Sequence, residues 1–234
     1  MKARGRSAPA ITPSEARGCS GPLSARRVAS RLVHYFLVGL LVLVPPLSAQ
    51  TTTSRYDDTF QKYSKRYFGV GYDWRLFKAQ AMTESNLNPA AKSWVGARGI
   101  MQLMPATFQE IQTRNSGFHS IDDLEWNIAA GIYYDRKLWR LWRDSVDQTD
   151  HVRFMFASYN AGRVPLLRAQ SLARLRALDP RLWGSVAVVA PEVPRWRHME
   201  TLNYVERIGA NLQRMDLRGR VRRGPPPDSV ITAP

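Results

Sequence analysis

Between Ala81 and Phe108 the sequence AMTESNLNPAAKSWVGARGIMQLMPATF carries one acid, Glu84, and no histidine or cysteine. Such a carboxyl can do proton chemistry alone if its surroundings keep it protonated near neutral pH. Three features act in that direction. Glu84 follows Trp74, Phe77 and Ala81 at helical spacing, so it falls on an apolar face where burial opposes ionisation. It stands near a helix C-terminus, where the helix dipole opposes negative charge. Lys78 is the one basic residue within seven positions, and its offset of six residues turns it away. The competing reading is an ordinary helix-end glutamate, the usual state of a Glu. Periodicity alone does not decide between them.

The elements that must hold Glu84 are helical. Asp57 to Phe68 reads as a short helix broken by Gly69-Val70-Gly71. Asp73 is placed to cap the next, which reaches Glu84 or Ser85. Asn86 to Gly99 reads as a loop, and Pro105 opens a short helix to about Gln112. A long helix is expected from Ile121 or Asp122 to about Arg143, with small residues at Asn127-Ile-Ala-Ala-Gly131 for close packing. The pair Trp139 and Trp142 reads as core. His151 to Tyr159 forms another helix, with Asp150 as its cap and Gly162 beyond its end. Pro165 to Leu178 and Met199 to Met215 complete the set. Asp179 to Arg197, with Pro180, Pro191 and Pro194, reads as an extended loop. No internal repeat or sustained strand alternation is present, so the expected fold is all-α, with six or seven helices around one core.

The 234 residues are 44% hydrophobic and 23% charged, a composition suited to one globular domain. Residues 1–49 read as a leader: Arg26, Arg27 and Arg31 precede the apolar run Tyr35 to Val44 and then Leu47-Ser48-Ala49. The expectation is export to the periplasm with cleavage near Ala49. An uncleaved leader would instead tether the chain to the inner membrane. Cys19 and His34 lie within this leader, and His119, His151 and His198 are scattered beyond it. Neither a disulfide nor a metal site is therefore expected, and no cofactor. The formal charge is +15, of which residues 1–49 supply +6. The rest favours an anionic wall polymer or membrane surface over nucleic acid, because no nucleic-acid recognition motif accompanies it. Residues 50–66 read as linker and first short helix, and 216–234 as a disordered, basic and Pro-rich tail.

Five segments in order carry a resemblance. They are Glu84-Ser85; Ser93-Trp-Val-Gly96-Ala-Arg-Gly99-Ile-Met-Gln102-Leu-Met-Pro105; Asn127 to Gly131; Ala157-Ser-Tyr-Asn-Ala-Gly162; and Glu200-Thr-Leu-Asn-Tyr204-Val. Together they resemble the soluble lytic transglycosylase family of lysozyme-like domains, over residues 67–215. The resemblance implies non-hydrolytic cleavage of the β-1,4 bond between N-acetylmuramic acid and N-acetylglucosamine in peptidoglycan, leaving a 1,6-anhydromuramyl end. It implies Glu84 as the catalytic acid. It also implies Ser93, Gln102, Tyr159, Asn160 and Tyr204 as residues that meet the glycan strand or line its cleft, with Tyr204 close to the acid. Gly96 and Gly99 would let the loop pass close to the glycan. Each of these residues also has a structural reading: turn capping for Ser93, core hydrogen bonding for Gln102 and Asn160, packing for the tyrosines. The sequence names no protein partner and does not separate internal from end-on cleavage.

Overall fold

The computed structural model describes residues 54–223, which form eight α-helices and one short 3-10 turn. Helix α1, Asp57–Phe68, starts with Asp57 and Asp58 and ends with Lys65 and Arg66, charges that complement its dipole. Gly69, at φ 102°, stops it. Helix α2, Arg75–Ser85, begins two residues after Asp73, whose Oδ1 accepts the Arg75 N–H at 3.1 Å. Asn86, left-handed at φ 53°, closes α2: its N–H donates to the Met82 carbonyl, and the next N–H, of Leu87, donates to the Ala81 carbonyl. Helix α3 is Pro105–Arg114, with proline in its first turn. Helix α4, Leu124–Trp142, is capped by Asp123, which accepts the Trp126 N–H at 3.0 Å. Helices α5, His151–Ala161, and α6, Arg163–Leu175, are separated by Gly162 alone, at φ 76°. Helix α8, His198–Arg223, runs well past Met215. The remainder of the expected tail lies outside the described residues, as does the leader. Among the described residues no helix is long and apolar enough to cross a membrane.

The stretch Asp179 to Arg197 is a correction. It contains helix α7, Trp183–Val189, followed by the 3-10 turn Ala190–Glu192. The β-branched run Val186-Ala-Val-Val-Ala190 and its flanking prolines read as extended chain. Yet Val186, Val189, Ala190 and Val193 are all buried, and helical spacing puts them on one face. Burial of that face overrides local propensity. Asp150 explains part of the start of α7. Its Oδ2 accepts the Trp183 N–H at 2.7 Å, so it serves the N-terminus of α7 and makes no side-chain cap to α5.

The core joins α1, α2, α4, α5 and α8 around Phe60, Phe77, Ile128, Ile132, Phe154, Met155, Phe156 and Ile208. Helix α2 packs on α8 and α4 packs on α5, while α5 also packs on α8. Trp142 is wholly buried and donates its Nε1–H to Ser158 Oγ at 2.8 Å, and Trp139 stacks on His151. Both act as core residues, as the sequence indicates.

Candidate active site

Glu84 sits in the last turn of α2, where the helix meets the loop of residues 86–104. That loop is built as a fixed wall. Ser85 Oγ donates to the Ile100 carbonyl at 2.8 Å and accepts the Asn88 N–H at 3.1 Å. Asn127, on α4 and 1% exposed, clamps the far side. Its Oδ1 accepts the Met101 N–H at 2.9 Å, and its Nδ2 donates to the carbonyls of Arg98 at 3.0 Å and Ile121 at 2.8 Å. A Cβ on Gly99 would lie 2.3 Å from Asn127 Nδ2, and one on Gly131 would lie 2.8 Å from Met101. Gly99, at φ 78°, is thus required by inward packing on Asn127.

The carboxyl of Glu84 faces α8. Its Oε1 accepts the Tyr204 hydroxyl at 2.6 Å, and Tyr204 is only 2% exposed. Two further bonds fasten α8 to α2 from the same stripe. Asn211, seven residues on from Tyr204, donates to Thr83 Oγ1 at 2.9 Å and to the Ala79 carbonyl at 3.2 Å. Glu84 keeps some exposure as a residue. Protein nonetheless surrounds its carboxyl closely enough that burial lifts its pKa from 4.5 to about 7, against the lowering pull of the Tyr204 hydrogen bond and of Arg207. Burial, then the charge of Glu84, push the Tyr204 and Tyr159 hydroxyls well above their usual range, so both remain neutral donors.

The other residues singled out in the sequence make contacts with the protein itself. Tyr159 donates to the Met101 carbonyl at 2.9 Å and meets Tyr134 edge-on, tying α5 to the loop. Asn160 is exposed, and its Oδ1 accepts from Thr201 Oγ1 at 2.9 Å, which in turn accepts the Trp196 indole N–H at 3.0 Å. Gln102, at φ 47°, donates Nε2 to the carbonyls of Ala91 at 3.1 Å and Gly99 at 2.8 Å. Ser93 Oγ accepts the Ala97 N–H at 2.9 Å within its own turn. The structure therefore joins Glu84 directly to Tyr204. Of the others, Tyr159 is near enough for the charge of Glu84 to act on it, while Ser93 and Gln102 bond to the backbone of the loop and Asn160 to Thr201.

Three participants were not picked out in the sequence. Arg207 stands one turn beyond Tyr204, and a check of α8 at that offset would have found it. Gln80 stands one turn before Glu84 on α2. Asp135 lies on α4 among Ile128, Gly131, Leu138 and Trp142, a stripe at core spacing in which an acid is out of place. Burial, relieved in part by Gln80 and reinforced by the charge of Glu84, raises the Asp135 pKa well above the usual carboxyl value.

The chain has counterparts among known proteins. Residues 58–178 match the model of the transglycosylase SLT domain, and the chain belongs to that family. It is 32% identical over 169 residues to the membrane-bound lytic murein transglycosylase F of Vibrio cholerae serotype O1, covering 68% of this chain and 30% of that protein. The protein of the same description from Desulfosudis oleivorans is 31% identical over 169 residues, covering 68% of this chain and 36% of that one. Among solved structures, the 70 kDa soluble lytic transglycosylase of Escherichia coli matches with a TM-score of 0.51 at 30% identity, over 69% of this chain and 24% of that chain. The chain thus spans about a third of the curated relatives it matches. Tyr204 falls outside the residues matched to the family model, and the fold alone brings it onto Glu84.

Proposed function

We propose that the protein is a peptidoglycan lytic transglycosylase, with Glu84 as its acid and base. The observation that carries this reading is a carboxyl with a pKa of about 7 at the end of α2, hydrogen-bonded to one neutral phenol. At neutral pH a large fraction of Glu84 is protonated. It gives that proton to the glycosidic oxygen as the bond from C1 of N-acetylmuramic acid to that oxygen breaks. The C6 hydroxyl of the same sugar then bonds to C1, and its proton returns to the Glu84 carboxylate. No water is consumed, and the intramolecular attack has the effective concentration that an external water lacks. Tyr204 stabilises the carboxylate form between the two steps. Glycosidases that hydrolyse place a second carboxyl across the sugar. Asp135, the acid coupled to Glu84, is 0% exposed and cannot present a water to a sugar, which favours the one-acid route.

Ser93, Gln102, Tyr159 and Asn160 are assigned to the walls that meet the glycan strand on the strength of the family's motifs, and Tyr159 also by its nearness to the charge of Glu84. The leader expected at residues 1–49, which lies outside the described residues, and the proposed substrate both support a reaction in the periplasm. The test is the mass of the products. Purified protein acting on sacculi is expected to release 1,6-anhydromuropeptides. Products ending only in reducing muramic acid, heavier by one water, would replace this reading with hydrolysis. Retention on sacculi without any release would make the protein a wall-binding relative.

A further inference from the structure

Asp135 is the most anomalous group in the described structure. It is fully buried on α4, and it is in none of the ion pairs found among the described residues. Its contact is Gln80 Nε2, at 3.4 Å from Oδ1, which is long for an amide meeting a carboxylate. Both Asp135 Oδ2 and Gln80 Oε1 are buried without a hydrogen-bond partner. A buried, unpaired carboxylate is among the costliest arrangements in a protein interior, and a proton removes most of that cost.

Once Asp135 is protonated it becomes a donor, and Gln80 Oε1 is the unpaired acceptor beside it. Turning the Gln80 amide over lets Oε1 accept the Asp135 O–H. The remaining Asp135 oxygen becomes a neutral carbonyl, far less costly to bury than an ionised one. The same turn frees the Gln80 N–H groups. Gln80 and Glu84 are four residues apart on α2, the spacing at which helical side chains meet. The row inferred from this runs from the Asp135 hydroxyl to Gln80 Oε1, with the freed Gln80 N–H groups one helical turn before Glu84.

We propose that Asp135 is a positioning residue for the reaction, a hydrogen-bond donor that acts through Gln80 to stabilise the ionised state of Glu84 between its two proton transfers. This rests on the function proposed above. The groups that face the two carboxyls are few. Tyr204 and Arg207 of α8 act on Glu84. Tyr159 of α5, Tyr134 of α4, Tyr204 of α8 and Tyr72 of the α1–α2 connection all lie within reach of Asp135. Every one of these tyrosines is held above its usual pKa with burial as the first cause, so none supplies a competing charge near neutral pH.

The test titrates Glu84 by NMR in full-length protein carrying 13C-labelled glutamate, with Glu84→Gln identifying the signal. It needs no turnover, so it separates this inference from the assigned reaction. Asp135→Asn keeps a neutral donor toward Gln80 and is expected to leave the Glu84 midpoint within about 0.3 pH unit. Asp135→Leu removes the donor and is expected to raise that midpoint by about half to one pH unit. Gln80→Met, which breaks the row at its middle, is expected to do the same and serves if the Leu variant does not fold. In the activity assay, Asp135→Leu should lower kcat several-fold with little change in KM, and its alkaline limb should move upward with the midpoint. A fall in the midpoint in Asp135→Asn would mean that Asp135 is ionised and repels Glu84, overturning the proposal. An unmoved midpoint in both Asp135→Leu and Gln80→Met would make the pair a purely structural contact.

Discussion

Replacing Tyr204 by Phe removes one hydroxyl and leaves the buried ring in place. The Tyr204 hydroxyl donates to Glu84 Oε1 at 2.6 Å and lowers a pKa that burial has raised to about 7. A hydrogen bond to an ionised group contributes about 1 kcal/mol more than the same bond to a neutral one. At 1.36 kcal/mol per pKa unit, that difference is about 0.7 of a unit. The Glu84 midpoint should therefore rise by about 0.7 in Tyr204→Phe. The protonated form is the one that starts the reaction, so the alkaline limb of the activity profile should move up by the same amount. The maximum rate should fall about tenfold at the same time, because the carboxylate formed after proton donation loses its donor. The assay is the initial rate of anhydromuropeptide release across pH 5 to about 9 for both proteins. A limb that moved down, or stayed in place while the rate fell, would refute the role given to Tyr204.

Stability should show the same burial. The folded pKa of Glu84, about 7, lies above its unfolded value of 4.5, so the fold is penalised as pH rises through that window and the penalty is complete above it. Glu84→Gln should stabilise the protein at pH 8 by about 1–2 kcal/mol, after allowance for partial exposure, and leave it unchanged near pH 4, as read by urea denaturation. Asn127→Ala leaves the Met101 N–H and the Arg98 and Ile121 carbonyls without their side-chain partner, and should cost about 3 kcal/mol in the same assay. Gly99→Ala drives a Cβ into Asn127 and strains a left-handed backbone, so thermal denaturation should show a loss of comparable size, with activity lost through displacement of the loop.

Most of the helices are legible in the sequence because their apolar spacing and their end signals agree: Gly69 after α1, Pro105 at the start of α3, Gly162 after α5. The helix α7 is not, because a valine run between prolines carries an extended local preference, and only the core it fills makes it helical. Glu84 and Tyr204 are 120 residues apart, so no local pattern links them; the order of motifs does. The roles of Asn127 and Gly99 are visible only as a pair, since each explains the other's presence across 28 positions. Asp135 left a signal that was passed over. An acid at a core position of an otherwise apolar stripe marks a buried charge, but its partner Gln80 lies on another helix and cannot be inferred from spacing.

The central claim is that one carboxyl performs both proton transfers. Glu84→Gln keeps size and polarity but can neither donate the proton nor take it back. Loss of general acid catalysis alone costs about 10²–10⁴-fold, and here both steps use the same group. The decisive measurement is anhydromuropeptide release from sacculi by wild type and Glu84→Gln, with folding matched by circular dichroism and glycan binding measured in parallel. The account predicts at least a thousand-fold loss, on the order of that upper range, with binding retained. A variant that kept more than about a tenth of the wild-type rate, well outside that range, would contradict it and turn attention to Glu200.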